Sequence, residues 1–356
     1  INELDPLQSI NAFWGIARAK YNLGGDNSLG ILYSGSHFDG GKNDVLGADF
    51  QYRFLKKARF TASYLYSNTL RPNKTVIEKG NGFNAMLQYA AREFSTWLTY
   101  ERYDGGFFMS SAFLNESNLS RVQIYAGPNF YPKDTFFSSW IRKIHPYIKY
   151  ATQRNLDNRL DENSWRLGMN LFFTVSGFAK IEFHDDKELC KGQFFKPRRF
   201  FFYGGLQLFK WLYVEGTFIS GGRVSYRSAS PFLGSWNSLR VTSAIQSSSN
   251  LSIYLEFIHD DFYQESPRQR VYTLDIYNLL ATYQFNRYFF VRGALRYNNN
   301  SHVLITDFLA SLTLIPGSVV HLGYGSLYDD RIRDNGILLN SKNSLFFKIS
   351  YLLRVK

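Results

Sequence analysis

A single cysteine, Cys190, is all the sequence holds. An intramolecular disulfide framework is therefore excluded, and no zinc or redox motif surrounds the thiol. Long apolar runs are missing as well. A membrane-spanning helix needs roughly 18 consecutive apolar residues, and no such run occurs; if a membrane is crossed, strands must cross it. The sequence does not open with a basic leader and a short apolar segment, so any signal peptide has been removed or lies upstream. Histidine is scarce. His37, His145, His184, His259, His302 and His321 are the full set, and none stands in a nucleophile motif of the kind that activates Ser or Asp. The reading is therefore non-enzymatic.

What is present is aromatic and basic. The chain has 356 residues, 45% of them hydrophobic, with 33 Phe, 25 Tyr and 6 Trp. An 18% aromatic share suits a protein that must place rings at two membrane interfaces. The formal charge of +12 fits nucleic acid, an anionic membrane surface or a basic channel lining. Its distribution argues against nucleic acid: Lys and Arg mostly occur singly, and their close clusters are short, such as Lys56-Lys57 and residues 196–199, whereas a nucleic-acid binder concentrates them on one patch.

Period-2 alternation runs along nearly the whole chain. One face carries Leu167, Met169, Leu171, Phe173 and Val175 against Arg166, Gly168, Asn170 and Thr174. The same pattern sets Leu251, Ile253, Leu255 and Phe257 against Ser252, Tyr254 and Glu256, and Phe347, Ile349, Tyr351, Leu353 and Val355 against Lys348, Ser350 and Arg354. About 19 such segments are countable. A closed sheet of that size has a lumen too wide for side chains to fill, so apolar outside and polar inside is the stable arrangement. The predicted fold is all-β, a large antiparallel transmembrane β-barrel occupying residues 1–356.

Connection lengths support this. Short turns are predicted at residues 24–27, 56–57, 91–93, 176–177, 210–211, 247–250, 286–287 and 316–317, alternating with long polar loops at 71–81, 104–118, 155–163, 185–196, 221–236, 260–269 and 329–343. Such asymmetry belongs to barrels with periplasmic turns and extracellular loops. Residues 132–143 read as an irregular periplasmic connection. By this count the first and last strands run the same way and cannot pair antiparallel, and open edges are forbidden in lipid. The expectation is that at least one strand is supplied upstream or by another chain, making these residues the C-terminal portion of a longer precursor.

Three phrases near the C-terminus, YQFNRYFFVRGALRYN (283–298), DFLASLTLIPGSVVHLGYGSLYDD (307–330) and FFKISYLLRV (346–355), resemble the barrel portion of a family of unknown function. In that family the barrel follows an N-terminal family-9 carbohydrate-binding module in Bacteroidetes-type outer-membrane proteins. The opening, with residues 17–21 (ARAKY) and 28–30 (SLG), is similar to an internal stretch of the same barrel. The resemblance implies a Gram-negative outer membrane and a barrel that anchors a carbohydrate-binding or carbohydrate-processing surface protein, with glycan bound by an upstream module. Neither that module nor the family's acidic, Phe-rich upstream stretch is present here, so no sugar-binding role passes to these residues from it.

Three kinds of residue set are candidates for chemistry. His184-Asp185-Asp186 and His259-Asp260-Asp261 echo each other, with Asp329-Asp330 a third acidic pair. At a loop rim, Asp185, Asp186, Asp260 and Asp261 could hold calcium, which prefers hard oxygen ligands, or bridge lipopolysaccharide phosphates; a solvated loop mouth is the bland alternative. The polar faces carry Arg53, Arg59, Arg121, Lys149, Arg166, Lys180, Arg240, Arg292, Arg296, Lys348 and Arg354. Rings of such residues favour anions in a pore, or they pair with Asp49, Glu101, Glu182, Glu215 and Glu256 and stiffen the wall, or they bind a plug. Finally, Phe107-Phe108-Met109 with Phe113, and Phe136-Phe137 with Trp140, place rings in connections. These suggest a partner surface, an inward-folded loop, a platform for a sugar ring, or strand ends read as loop.

Two functions follow. One is a porin-like pore or a scaffold subunit of an envelope complex, with outer-membrane lipid and partner proteins around it. The other is the anchor of a carbohydrate-processing surface protein. No cofactor is expected beyond the possible rim calcium.

Overall fold

Alternating side chains of opposite polarity favour an extended chain, because successive Cβ atoms of a strand point to opposite faces. The computed structural model describes residues 12–38, 40–72, 74–112, 116–133, 135–158, 160–226, 230–266, 268–334 and 337–352, with backbone alone at 330, 332–334 and 337–341. Phe113 and Arg354 lie outside the described residues. Among those described, twenty strands belong to one sheet, and the only helical element is a 3₁₀ turn at Phe136–Ser139.

The chain divides into two compact units. The first holds β1 (Ala12–Gly24), β2 (Asn27–Phe38), β3 (Gly41–Leu55), β4 (Ala58–Leu70), β5 (Glu78–Ala90), β6 (Phe94–Tyr103) and β7 (Leu119–Pro128). Each pairs antiparallel with the next. Parts of β8 (Ile141–Asn155), β9 (Asp161–Phe173) and β10 (Gly177–Cys190) belong to each unit. The second unit continues through β11 (Gln193–Phe195), β12 (Arg198–Phe209), β13 (Leu212–Ser225), β14 (Phe232–Gln246), β15 (Leu251–Gln264), β16 (Gln269–Asn286), β17 (Phe289–Asn298), β18 (Val303–Ile315), β19 (Ser318–Asp334) and β20 (Ile337–Ser350). From β12 to β20 every consecutive pair is antiparallel. β11 has only three residues; the other nineteen elements correspond to the segments counted in the sequence.

The short turns fall where predicted. The first, Gly25-Asp26, has positive φ at both central residues, 59° and 70°, the geometry that matches strand twist in a two-residue hairpin. Most predicted long loops are instead continued strand. β10 runs on to Cys190, β13 to Ser225, β15 to Gln264 and β19 to Asp334. A backbone ladder needs no apolar side chains, so pairing persists after the lipid-facing alternation has ended. A tilted strand crosses a bilayer in about 9–11 residues, and β16 and β19 have 18 and 17. Their surplus extends the wall beyond the hydrocarbon. Of the predicted long loops, connections of five or more residues remain between strands at 71–77, 104–118, 156–160 and 226–231.

Exposure is inverted relative to a soluble sandwich. Ile31 is 65% exposed, Leu46 59% and Leu322 50%, while Ser34 is 2% exposed and Ser36 and Ser67 are fully buried. A water-soluble sheet turns its apolar face to a core. Here that face is uncovered along strand after strand, which is stable only against lipid.

Candidate functional site

The most constructed part of the polar face lies in the first unit. Cross-strand register puts Ser36 opposite Asn43 and Asn43 opposite Thr69, with Ser34, Val45, Ser67 and Gly80 forming the adjoining row. Small side chains leave a shallow shelf there. The connection after β6 folds down onto it rather than standing away from the wall. Asp104 starts the turn: its backbone N–H donates to the Asn81 carbonyl at 2.9 Å, and its carboxylate accepts from the Asn81 side chain at 2.8 Å. Phe107 N–H then donates back to the Asp104 carbonyl at 3.0 Å.

Phe107 is only 4% exposed and packs on Tyr103 with ring centroids 5.5 Å apart. Gly80 and Gly82 make room for it. Asn43 then clamps the segment. Its side-chain amide donates to the Phe108 carbonyl at 2.9 Å, and its oxygen accepts from the Ser110 backbone at 2.9 Å and the Ser110 hydroxyl at 3.0 Å. The Ser36 and Ser110 hydroxyls meet at 2.7 Å, the Ser34 and Ser111 hydroxyls at 2.5 Å, and Phe108 N–H donates to Ser67 at 3.2 Å. Of the sequence alternatives for Phe107 and Phe108, the fold takes the inward-folded loop. Phe136 and Phe137, by contrast, are 81% and 53% exposed on the 3₁₀ turn.

Below the shelf runs a polar network. Asn84 donates to Glu101 at 3.1 Å, Arg121 reaches Glu101 at 3.4 Å and Gln153 at 2.9 Å, and Gln153 donates to Glu116 at 2.7 Å. Further along the same face Trp97 and Tyr125 stack at 5.6 Å, with the Lys149 ammonium 5.3 Å from the Trp97 ring centre.

The remaining predicted basic residues have varied surroundings. Arg53 pairs with Asp26 at 2.8 Å, Lys180 with Glu182 at 3.1 Å and Arg240 with Glu256 at 3.5 Å. Arg59 donates to Gln88 at 2.8 Å, and Arg296 to Asn278 at 2.9 Å. Arg166 keeps a buried Nε with no acceptor among the described residues. Arg292 and Lys348 have no acidic partner among the described residues. In the second unit Asn278 bonds Glu256 at 2.5 Å while receiving Arg296, so one carboxylate is flanked by two guanidiniums across β14 to β17. That wall stays net basic.

The two His-Asp-Asp echoes face opposite ways. Glu182, His184 and Asp186 are buried (4%, 8% and 5% exposed) while Phe183 is 46% exposed, so His184 sits on the polar face, 3.1 Å from Glu182. His259 shares its face with Phe257 and Leu255, and its ring bonds Asp275 at 2.6 Å and Asp261 at 3.0 Å. Because neighbours in a strand point apart, Asp185 and Asp186 do not converge on one point, nor do Asp260 and Asp261. Among the described residues no group of three or more His, Cys, Asp or Glu side chains is arranged to hold a metal ion.

No protein-family model matches the sequence, and no curated protein matches it. Solved structures do. The siderophore receptor PirA from Acinetobacter baumannii superposes with a TM-score of 0.56 at 6% identity, over 95% of this chain and 71% of that one. A variant of the ferric enterobactin receptor PfeA from Pseudomonas aeruginosa gives 0.56 at 8%, over 96% and 71%. The copper transporter OprC gives 0.50 at 8%, over 96% and 70%. The fold is that of an outer-membrane β-barrel. The exposed apolar face is therefore the lipid-facing exterior and the polar face the lumen wall, which sets the chain in the outer membrane.

Sequence reasoning did not find the shelf of Ser34, Ser36, Asn43 and Ser67. Its traces were the spaced small residues Ser34 and Ser36, and Gly80 and Gly82, each pair two apart on one face.

Proposed function

We propose that this barrel is a passage for small anionic solutes, narrowed by the 104–112 segment. The observation that carries the reading is that segment itself, pinned to the polar wall by Asn43 and three serines. A loop held against the wall takes up room on the lumen side of that wall. The basic excess around Arg240, Arg292, Arg296 and Lys348 supports the choice of anion, since cationic linings favour anions. The names of the similar structures, siderophore receptors and a copper transporter, support handling of a solute by a barrel of this fold.

Planar bilayers test it. Purified barrel should produce discrete conductance steps, and a KCl gradient should give a reversal potential of the sign set by chloride. A silent bilayer with correctly folded protein would defeat the reading, and a potassium-selective reversal potential would defeat its anionic part.

A further inference from the structure

A second feature of the polar face lies wholly in the second unit. Where β13 to β16 extend toward the long connections, they enclose a cleft of about 560 Å³, within the roughly 300–1,000 Å³ typical of small-molecule sites. Its lining combines rings with three polar groups of different kinds: Arg223, Asp260 and Asn300 beside Tyr226, Phe262 and Tyr272.

The rings are held in place. Phe262 is 3% exposed, stacks on Phe232 at 5.9 Å and contacts Tyr272 at 5.8 Å. The Arg223 guanidinium lies 4.7 Å over the Trp236 ring and donates to the Tyr272 hydroxyl at 2.9 Å. The Asp260 carboxylate is not satisfied: its Oδ1 is buried with no hydrogen-bond partner among the described residues. Leaving a buried carboxylate oxygen unpaired is costly, so the cleft calls for a molecule that brings a hydrogen-bond donor.

We infer that this cleft binds a neutral, hydroxyl-rich ring, a sugar residue. An anion would meet the Asp260 carboxylate, and Arg223 is already engaged by Tyr272 and Trp236. A cation would meet Arg223. A hydroxyl both donates and accepts, so it can give its proton to the Asp260 carboxylate and take one from the Asn300 amide. The apolar face of a pyranose ring packs on Tyr226 and Tyr272, with Phe262 buried behind Tyr272.

The site is tested on the detergent-solubilised full chain, independently of any conductance. Tryptophan fluorescence and saturation-transfer NMR would be followed against glucose, galactose, mannose, N-acetylglucosamine and their disaccharides, with glucuronate and glucosamine as charged controls. At least one neutral saccharide should bind saturably, and Asp260→Asn, which keeps shape, should weaken it about tenfold or more. Arg223→Lys, which keeps charge but loses the planar fork, should weaken it as well. Heat-modifiable migration confirms that each variant is folded. Binding of no neutral saccharide, binding of only the charged controls, or binding indifferent to both substitutions would each overturn the inference.

Discussion

Gly80 and Phe107 lie backbone against backbone. A Cβ on Gly80 would stand 2.1 Å from the Phe107 nitrogen and 2.4 Å from its Cα, distances no side-chain rotation relieves. The lumen loop therefore depends on a residue of a strand it only touches.

Gly80→Ala should lift the 104–112 segment off the wall while leaving the β4–β5 ladder intact. Single-channel conductance should rise, and chymotrypsin should cut after Phe107 or Phe108 in the variant well before it cuts the parent. Equal conductance and equal protease resistance would show that the loop does not narrow the passage.

Asn43 is the stronger of the two polar clamps. Asn43→Ala strands the Phe108 carbonyl and the Ser110 N–H, a loss of about 1–3 kcal/mol when buried groups go unpaired. Ser36→Ala removes one hydroxyl pair and should cost about 0.5–1.5 kcal/mol. Urea unfolding in lipid vesicles should rank them in that order, and the reverse ranking would contradict the clamp.

Gly30 makes a contrasting case. Arg18 reaches over it from β1 to Asp49 on β3, making two bonds of 3.0 Å. A Cβ on Gly30 would meet the Asp49 carboxylate at 2.4 Å, but that group is the mobile end of a side chain and can move aside. The Arg18 and Asp49 side chains are 56% and 28% exposed, so the pair contributes under about 1 kcal/mol. Gly30→Ala and Arg18→Gln should each shift the unfolding midpoint only slightly and by similar amounts. A loss of several kcal/mol in either would show a role beyond the ion pair.

The two faces should answer differently to one substitution. Leu322→Arg puts a charge on the exterior and should cost about 2–4 kcal/mol near the bilayer midplane. Thr242→Arg puts it on the lumen wall opposite Glu215 and Glu256, where it should be close to neutral. Folding titrations into lipid vesicles would read both, and equal costs would mean that the faces are misassigned.

Charge reversal at Arg292 and Arg296 isolates the lumen's preference. Arg292→Glu with Arg296→Glu should move the reversal potential in a KCl gradient toward potassium without lowering the amount of folded barrel. An unchanged reversal potential would show that Arg292 and Arg296 do not set the selectivity.

The sequence alone determined the class of the fold and the polarity of its two faces. A strand's side-chain period is two, so the row from Leu251 to Phe257 declares a lipid face wherever a membrane is the surrounding phase. Short turns were legible for the same local reason: Gly25-Asp26 and Pro316-Gly317 need only their own dihedrals. The lengths of the strands were not legible, because backbone pairing beyond the bilayer leaves no hydrophobic mark on residues such as those from Asp329 to Asp334. Nor was the candidate site. Ser36 and Ser110 are 74 residues apart, and a serine is equally at home on a solvated wall or beneath a docked loop. His184 and His259 begin the same tripeptide, yet one turns to Glu182 on the polar face and the other to Asp275 on a neighbouring strand. His184 found its partner two residues away on its own strand, whereas the meeting of His259 with Asp275 depended on strand register, a property of two segments together that neither segment encodes by itself.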